Sequence, residues 1–97
     1  MGALRKVAES RLVIDYDRDA DVLYVNYGPS VPGYGDAGED DMIFRYSEAD
    51  DAPIGVTIIG FASVGWPSRR RRLYYIISKH LHLNETTVAS AFSSAGV

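Results

Sequence analysis

Tyr-Asp-Arg-Asp-Ala-Asp-Val-Leu-Tyr-Val, residues 16–25, is an acidic turn that runs directly into an apolar, aromatic strand. The residues before it, 12–16, show the two-residue alternation that is typical of a strand. Residues 22–27 are rich in the β-branched and aromatic side chains that strands favour. Carboxylates between two strands accept hydrogen bonds from turn amides. The stretch therefore predicts a β-hairpin whose structural turn is formed by Asp17, Asp19 and Asp21.

Two further strands are predicted downstream of the hairpin. Residues 28–40 contain four glycines and two prolines, a composition that breaks helices and strands, so this segment is predicted to be a mobile connection. Residues 42–46 and 54–59 alternate at the period of a strand, with Pro53 tolerated at the first position of the last one.

The C-terminal third has helical spacing. After a change of direction in residues 60–67, apolar side chains recur every three to four residues as far as Leu81 and again from Val88 to Ala95. Ser68 and Asn84 are residue types that cap helix N-termini. Two helices are therefore predicted, one after each cap.

This order defines an α+β fold class, a four-stranded antiparallel β-meander followed by two C-terminal helices packed on one face. Ninety-seven residues predict a single domain over 1–97. Within it, residues 11–61 form the predicted meander and residues 68–95 the helical region, while residues 1–10 are a candidate disordered segment.

Apolar side chains point to both faces of the predicted sheet. In the second strand Val22 and Tyr24 point one way, and Leu23 and Val25 point the other. Two short helices cover only one face of the sheet. The other face would then expose a large apolar patch, and such a patch marks an interaction site. The sequence leaves open which face the helices cover, so Val22, Tyr24, Val56 and Ile58 are candidates for either core or contact surface.

Composition and charge exclude several classes of protein. There is no cysteine, so neither a disulfide framework nor a thiolate zinc site is available. Residues 1–11 lack the apolar stretch of a signal peptide, and no run reaches the roughly 18 apolar residues of a membrane span. A cytoplasmic protein without membrane contact is predicted. Residues 1–52 carry a net charge of −7 and residues 53–97 one of +4, so the halves attract each other within or between chains.

The motif Tyr16-Asp17-x-x-Ala20-Asp21-x-Leu23-Tyr24 resembles the opening motif of a family of small prokaryotic proteins, domain of unknown function 2283. Residues 54–59 with Ala62-Ser63 are similar to the later strand of that family, and the resemblance covers about residues 11–63. The chain departs from the pattern at Thr57, where a glutamate is usual, and at Arg45, where an acid is common. The resemblance implies no activity, although some members resemble the smaller partners of toxin–antitoxin-like pairs.

A run of four arginines, residues 69–72, is the strongest charge feature. Such a run attracts phosphate when one surface presents it, but consecutive helical residues spread around the axis. Acids of the loop 36–41, such as Asp40, are candidate partners from the same chain or from a neighbour. Whether that loop binds anything else is left open. An intramolecular or subunit contact is favoured over a solvated run and over nucleic acid.

No catalytic, cofactor-binding or metal-binding group emerges from the remaining residues. The alternating aspartates 15–21 lack the glycine and glutamate that a calcium loop requires at fixed positions. His80 and His82 point apart on a helix, and His80 falls near the apolar face as a core or interface residue. The serines lack a nucleophile elbow. The chain is therefore predicted not to be an enzyme and to need no cofactor.

The favoured hypothesis is a non-enzymatic interaction module that self-associates through its sheet, as a homo-oligomer with a dimer favoured. The alternative is an antitoxin-like or regulatory protein that contacts a protein partner or nucleic acid, the latter disfavoured. The candidate contact residues are Arg69, Arg70, Arg71, Arg72, Tyr24 and Val22. A small ligand-binding domain or enzyme built on Asp17, Asp21, Glu39 and Asp40 ranks last.

Overall fold

The structure, a computed structural model, describes residues 12–97. The prediction for residues 1–10 lies outside the described residues. The described strands are β1 (Leu12–Asp17), β2 (Val22–Tyr27), β3 (Gly33–Ala37), β4 (Met42–Ser47) and β5 (Pro53–Ile59). The helices are α1 (Phe61–Val64), α2 (Arg70–Leu81) and α3 (Glu85–Ala95), with 3-10 turns at Glu39–Asp41 and Trp66–Ser68.

The α+β class with an antiparallel sheet and two C-terminal helices is confirmed, but the four-stranded meander is wrong. The sheet has five strands in the order β1-β2-β5-β4-β3, so β2 pairs with β5 rather than with the next strand along the chain. The burial of side chains on β2 and β5 explains this strand order. Both strands carry fully buried side chains on one face, and in the interior of the sheet each of them has a neighbouring strand on either side. The glycine-rich β3 lies at an edge.

The additional strand, β3, lies in the segment predicted to be a mobile connection. Its five residues include two glycines and an aspartate, so no β-propensity signal marks it. Tertiary contacts hold it instead. The Tyr34 ring stacks on Tyr46 at a centroid distance of 5.5 Å, and its hydroxyl donates to Asp51 at 2.8 Å. Gly33 and Gly35 leave room for β4 side chains, because an added Cβ on Gly35 would lie 2.6 Å from Ile43.

One face of the sheet carries the hydrophobic core. Leu23, Val25, Val56 and Ile58 are fully buried there beneath α2 and α3, with core partners on the helices that include Leu73, Ile77, Val88 and Phe92. The register explains this common face, because Val25 lies opposite Val56 and Leu23 opposite Ile58. Val56 and Ile58, left open between core and contact surface, are therefore core residues.

The helix starts differ from the predicted caps. α2 begins after Arg69 and not after Ser68, whose hydroxyl donates to the Gly65 carbonyl oxygen at 3.0 Å within the preceding 3-10 turn. Asn84 occupies the N-cap position of α3, but its side chain makes no capping hydrogen bond. The segment 60–67, predicted as a change of direction, contains the short helix α1 flanked by two left-handed glycines, Gly60 and Gly65.

Candidate functional site

The acidic hairpin turn is fastened to α1 by Asp21. Its carboxylate accepts hydrogen bonds from the Tyr16 hydroxyl at 2.6 Å, from the Ala62 amide at 2.8 Å and from the Ser63 amide at 3.1 Å. The left-handed backbone of Asp21, with φ of 56°, also directs its carbonyl oxygen at the Gly60 amide, 2.8 Å away. The two segments that carry the family resemblance are thus in direct contact.

These donors make Asp21 a structural group. The hydrogen bond from Tyr16, followed by that from the Ala62 amide, lowers the pKa of Asp21 from 3.8 to about 2. A carboxylate with this pKa and three donors is a poor general base at neutral pH. Asp17 has a local role as well, because its Oδ1 accepts the Ala20 amide at 3.1 Å. Asp19 is exposed in the turn.

Asp21 predicts a specific acid dependence of stability. Its pKa is lower in the folded chain, so the unfolded chain binds more protons between about pH 4 and about pH 2, and stability falls as the pH falls through that window. In Asp21→Asn we expect a shallower fall in the free energy of urea unfolding across this window. Asp19→Asn is the matched control and should keep the wild-type slope. Equal slopes in wild type and Asp21→Asn would contradict the assignment.

His80 supports an irregularity in the sheet rather than a reaction. Its Nε2 lies 3.0 Å from the Gly55 carbonyl oxygen and 3.3 Å from that of Arg45, next to the register shift between Arg45 and Tyr46. Two acceptors at one ring nitrogen require that Nε2 carries the hydrogen. The ring packs against Phe44 and Tyr46, and burial lowers the pKa of His80 below its usual value of 6.5.

The arginine run is divided among different surroundings. Arg69 stacks on the Trp66 ring at 4.1 Å and forms an exposed ion pair with Asp40 at 3.5 Å. Arg70 donates to the Val97 carbonyl oxygen at 3.0 Å, whereas Arg71 is exposed. The run therefore makes contacts within the chain at Arg69 and at Arg70. Exposed pairs of this kind contribute little to stability.

The face of the sheet opposite the core carries an apolar surface, here called the open-face patch and made of Val22, Tyr24, Ile43, Thr57 and Ile59. Tyr24 is 38% exposed and Ile59 46%, while the other three are half-buried. The members are neighbours, because Val22 lies opposite Ile59 and Tyr24 opposite Thr57, with Ile43 on the other side of Thr57. The helices occupy the other face, so no described residue of 12–97 covers the patch.

The structure brings some predicted site residues together and separates others. Val22 and Tyr24 share the open-face patch, whereas residues 69–72 lie at the start of α2 and outside it. The sequence did not predict three residues of this face as contact or binding residues, namely Ile43, Ile59 and Arg45. The alternation within β4 and β5 contains the signal for the two isoleucines, but the strand order was needed to place them beside Val22 and Tyr24.

Comparison of the chain with protein-family models, with curated proteins and with solved structures gave no match. The resemblance to domain of unknown function 2283 stays a prediction from the residues. Within residues 12–97, no three histidine or acidic side chains are grouped so that they could hold a metal ion. In the same part of the chain, none of the helices has the length and apolar character needed to cross a membrane.

Proposed function

We propose that this protein is a non-enzymatic interaction module that self-associates as a dimer, packing the open-face patch against the same patch of a second copy. The observation that carries the proposal is the unequal cover of the sheet. Helices bury the centre of one face, while the other presents exposed Tyr24 and Ile59 among half-buried apolar neighbours. Contiguous exposed apolar surface of this kind marks interaction sites.

The patch is suited to pairing with itself. A two-fold axis parallel to the strands and between β2 and β5 places β2 of one copy opposite β5 of the other. Val22 then faces Ile59 of the second copy, and Tyr24 faces Thr57. None of the five patch residues carries a charge, as is typical of interface centres. In this arrangement the β1 carboxylates Asp15 and Asp17 lie opposite the β4 side of the second copy and not opposite each other.

The size of the face sets the expected strength. The two-fold axis brings four strands of each copy together, because β3 extends beyond the second copy. Four strands spaced by about 4.8 Å and six residues long, at about 3.3 Å per residue, give a shared face of roughly 19 by 20 Å. Two such faces bury roughly 760 Å² in total, the size of a weak and transient interface. We therefore expect a dissociation constant in the micromolar range rather than the nanomolar range.

The test is the mass of the protein by sedimentation equilibrium across a concentration series. The wild-type chain should shift from monomer to dimer as its concentration rises. Ile59→Asp places a carboxylate in the apolar contact, where its desolvation should weaken association by about a hundredfold or more.

Tyr75→Asp is the matched control for Ile59→Asp. Tyr75 is 43% exposed, similar to Ile59, but it lies on α2 and contacts Lys79. This variant should dimerise like the wild type. A wild-type chain that stays monomeric at hundreds of micromolar, or equal losses of association in both variants, would contradict the proposal.

The alternative role through Arg69–Arg72 stays a prediction. No described contact favours it over self-association, and the contacts of Arg69 and Arg70 within the chain leave fewer of these side chains free for phosphate. Localisation in the cytoplasm and the absence of enzymatic activity also stay predictions.

A further inference from the structure

A cleft lies at the end of the open face farthest from Ile59. It has a volume of about 310 Å³ and lies between the sheet and residues 28–31. Most of the lining is apolar and includes Val13, Tyr27, Val31 and Ile54. The polar side chains of the lining are those of Asn26, Ser30 and Arg45. This volume is at the lower end of the range for small-molecule sites.

Arg45 is the charged group of the cleft. Its Nη2 atom lies above Gly33 of β3, since a Cβ added to Gly33 would sit 3.4 Å from that nitrogen and 2.7 Å from Ile54 Cδ1. Glycine at this edge position therefore leaves the room in which the guanidinium group lies. Arg45 is half-buried, and the ion pair found within residues 12–97 joins Arg69 to Asp40. No described carboxylate neutralises Arg45.

We propose that this cleft binds a small organic carboxylate with an apolar body. The guanidinium group offers a planar fork of N–H donors that matches a carboxylate. Asn26 and Ser30 offer neutral donors, and the apolar walls remove the rest of the ligand from water. A free phosphate fits less well, because a single cation among apolar walls does not compensate its second charge.

The cleft and the open-face patch occupy different rows of the sheet. Val13, Asn26 and Gly55 are aligned with Arg45, one row along the strands from Tyr24, Thr57 and Ile43, a separation of about 7 Å at 3.3 Å per residue. In the proposed dimer this row faces the same row of the second copy, so self-association and ligand binding compete for the open face. The Ile59→Asp variant, in which association is weakened, therefore measures ligand binding separately from self-association.

The test is a titration of the ¹⁵N-labelled protein with phenylacetate, followed by NMR. We expect saturable shifts of the amide signals of Asn26, Gly33 and Arg45 in both wild type and Ile59→Asp. Phenylacetamide, which has nearly the same shape without the charge, should bind at least about tenfold more weakly, because it lacks the charge-assisted hydrogen bonds. Inorganic phosphate should also bind more weakly than phenylacetate.

Arg45→Gln should weaken phenylacetate binding by about tenfold or more, and Arg45→Lys should lie between it and the wild type. Arg71→Gln, which removes an exposed arginine elsewhere, is the control and should bind like the wild type. Equal affinity for phenylacetate and phenylacetamide, unchanged affinity in Arg45→Gln, or no saturable shift at the cleft residues would each overturn the proposal. If Arg45→Gln fails to fold, the comparison of the two ligands on the wild-type protein decides.

Discussion

Truncation of Leu23 to alanine is expected to lower the free energy of unfolding by about 2–5 kcal/mol. Leu23 is fully buried at the centre of the sheet, opposite Ile58 and beneath the helices. The loss combines the transfer free energy of the removed atoms with the cavity that they leave. Urea unfolding of dilute protein, followed by the fluorescence of Trp66, measures it.

The adjacent residue provides the control for that measurement. Tyr24 follows Leu23 in β2 but points to the open face and is 38% exposed. Tyr24→Ala is expected to change the stability of the dilute monomer by less than about 1 kcal/mol, the range usual for surface positions. Equal losses for the two truncations would contradict the assignment of one covered and one uncovered face.

Trp66 is expected to give the other large effect. It lies in the 3-10 turn before α2, it is fully buried, and Arg69 stacks on its ring at 4.1 Å. Trp66→Ala should lower the free energy of unfolding by about 3–5 kcal/mol, as expected for a buried aromatic side chain. Since Trp66 is the one tryptophan of the chain, circular dichroism replaces fluorescence as the probe. A loss below about 1 kcal/mol would contradict its place in the core.

Trp66→Phe separates packing from polarity at the same position. Among the described residues, the indole Nε1 is buried and has no hydrogen-bond partner. Burial of such a donor costs about 1–3 kcal/mol, so its removal offsets part of the packing that phenylalanine loses. We expect Trp66→Phe to lose less than half of the stability lost by Trp66→Ala. Equal losses would show that the indole nitrogen has a partner.

The hairpin and the two C-terminal helices follow from patterns that are local in sequence. Alternation in residues 12–16 and 22–27 places the strands, and the spacing of apolar residues after residue 68 places the helices. β3 was missed because its glycines have no strand propensity, and its position depends on Tyr34, which contacts Tyr46 and Asp51. The pairing of β2 with β5 is a long-range contact, and no local pattern contains it.

The candidate sites show the same division between local and long-range information. The sequence of β2 indicates apolar side chains on both of its faces. The position of the helices was needed to show that the face with Val22 and Tyr24 is the uncovered one. The aspartates of the turn were predicted as structural. The attachment of Asp21 to Ala62 and Ser63, more than forty positions away, required the fold. The cleft beside Arg45 likewise could not be predicted from local patterns, because it lies between β4 and the loop after β2.

The central claim is that the open-face patch binds a second copy of the chain. An isotope-filtered NOE experiment on a mixture of ¹³C-labelled and unlabelled chains, at a concentration where the dimer dominates, tests it without any substitution. We expect intermolecular NOEs that join the Ile59 methyl groups to Val22, and Tyr24 to Thr57, with none from Tyr75. A dimer whose intermolecular NOEs arise from α2 or from residues 69–72, and not from the patch, would contradict the claim.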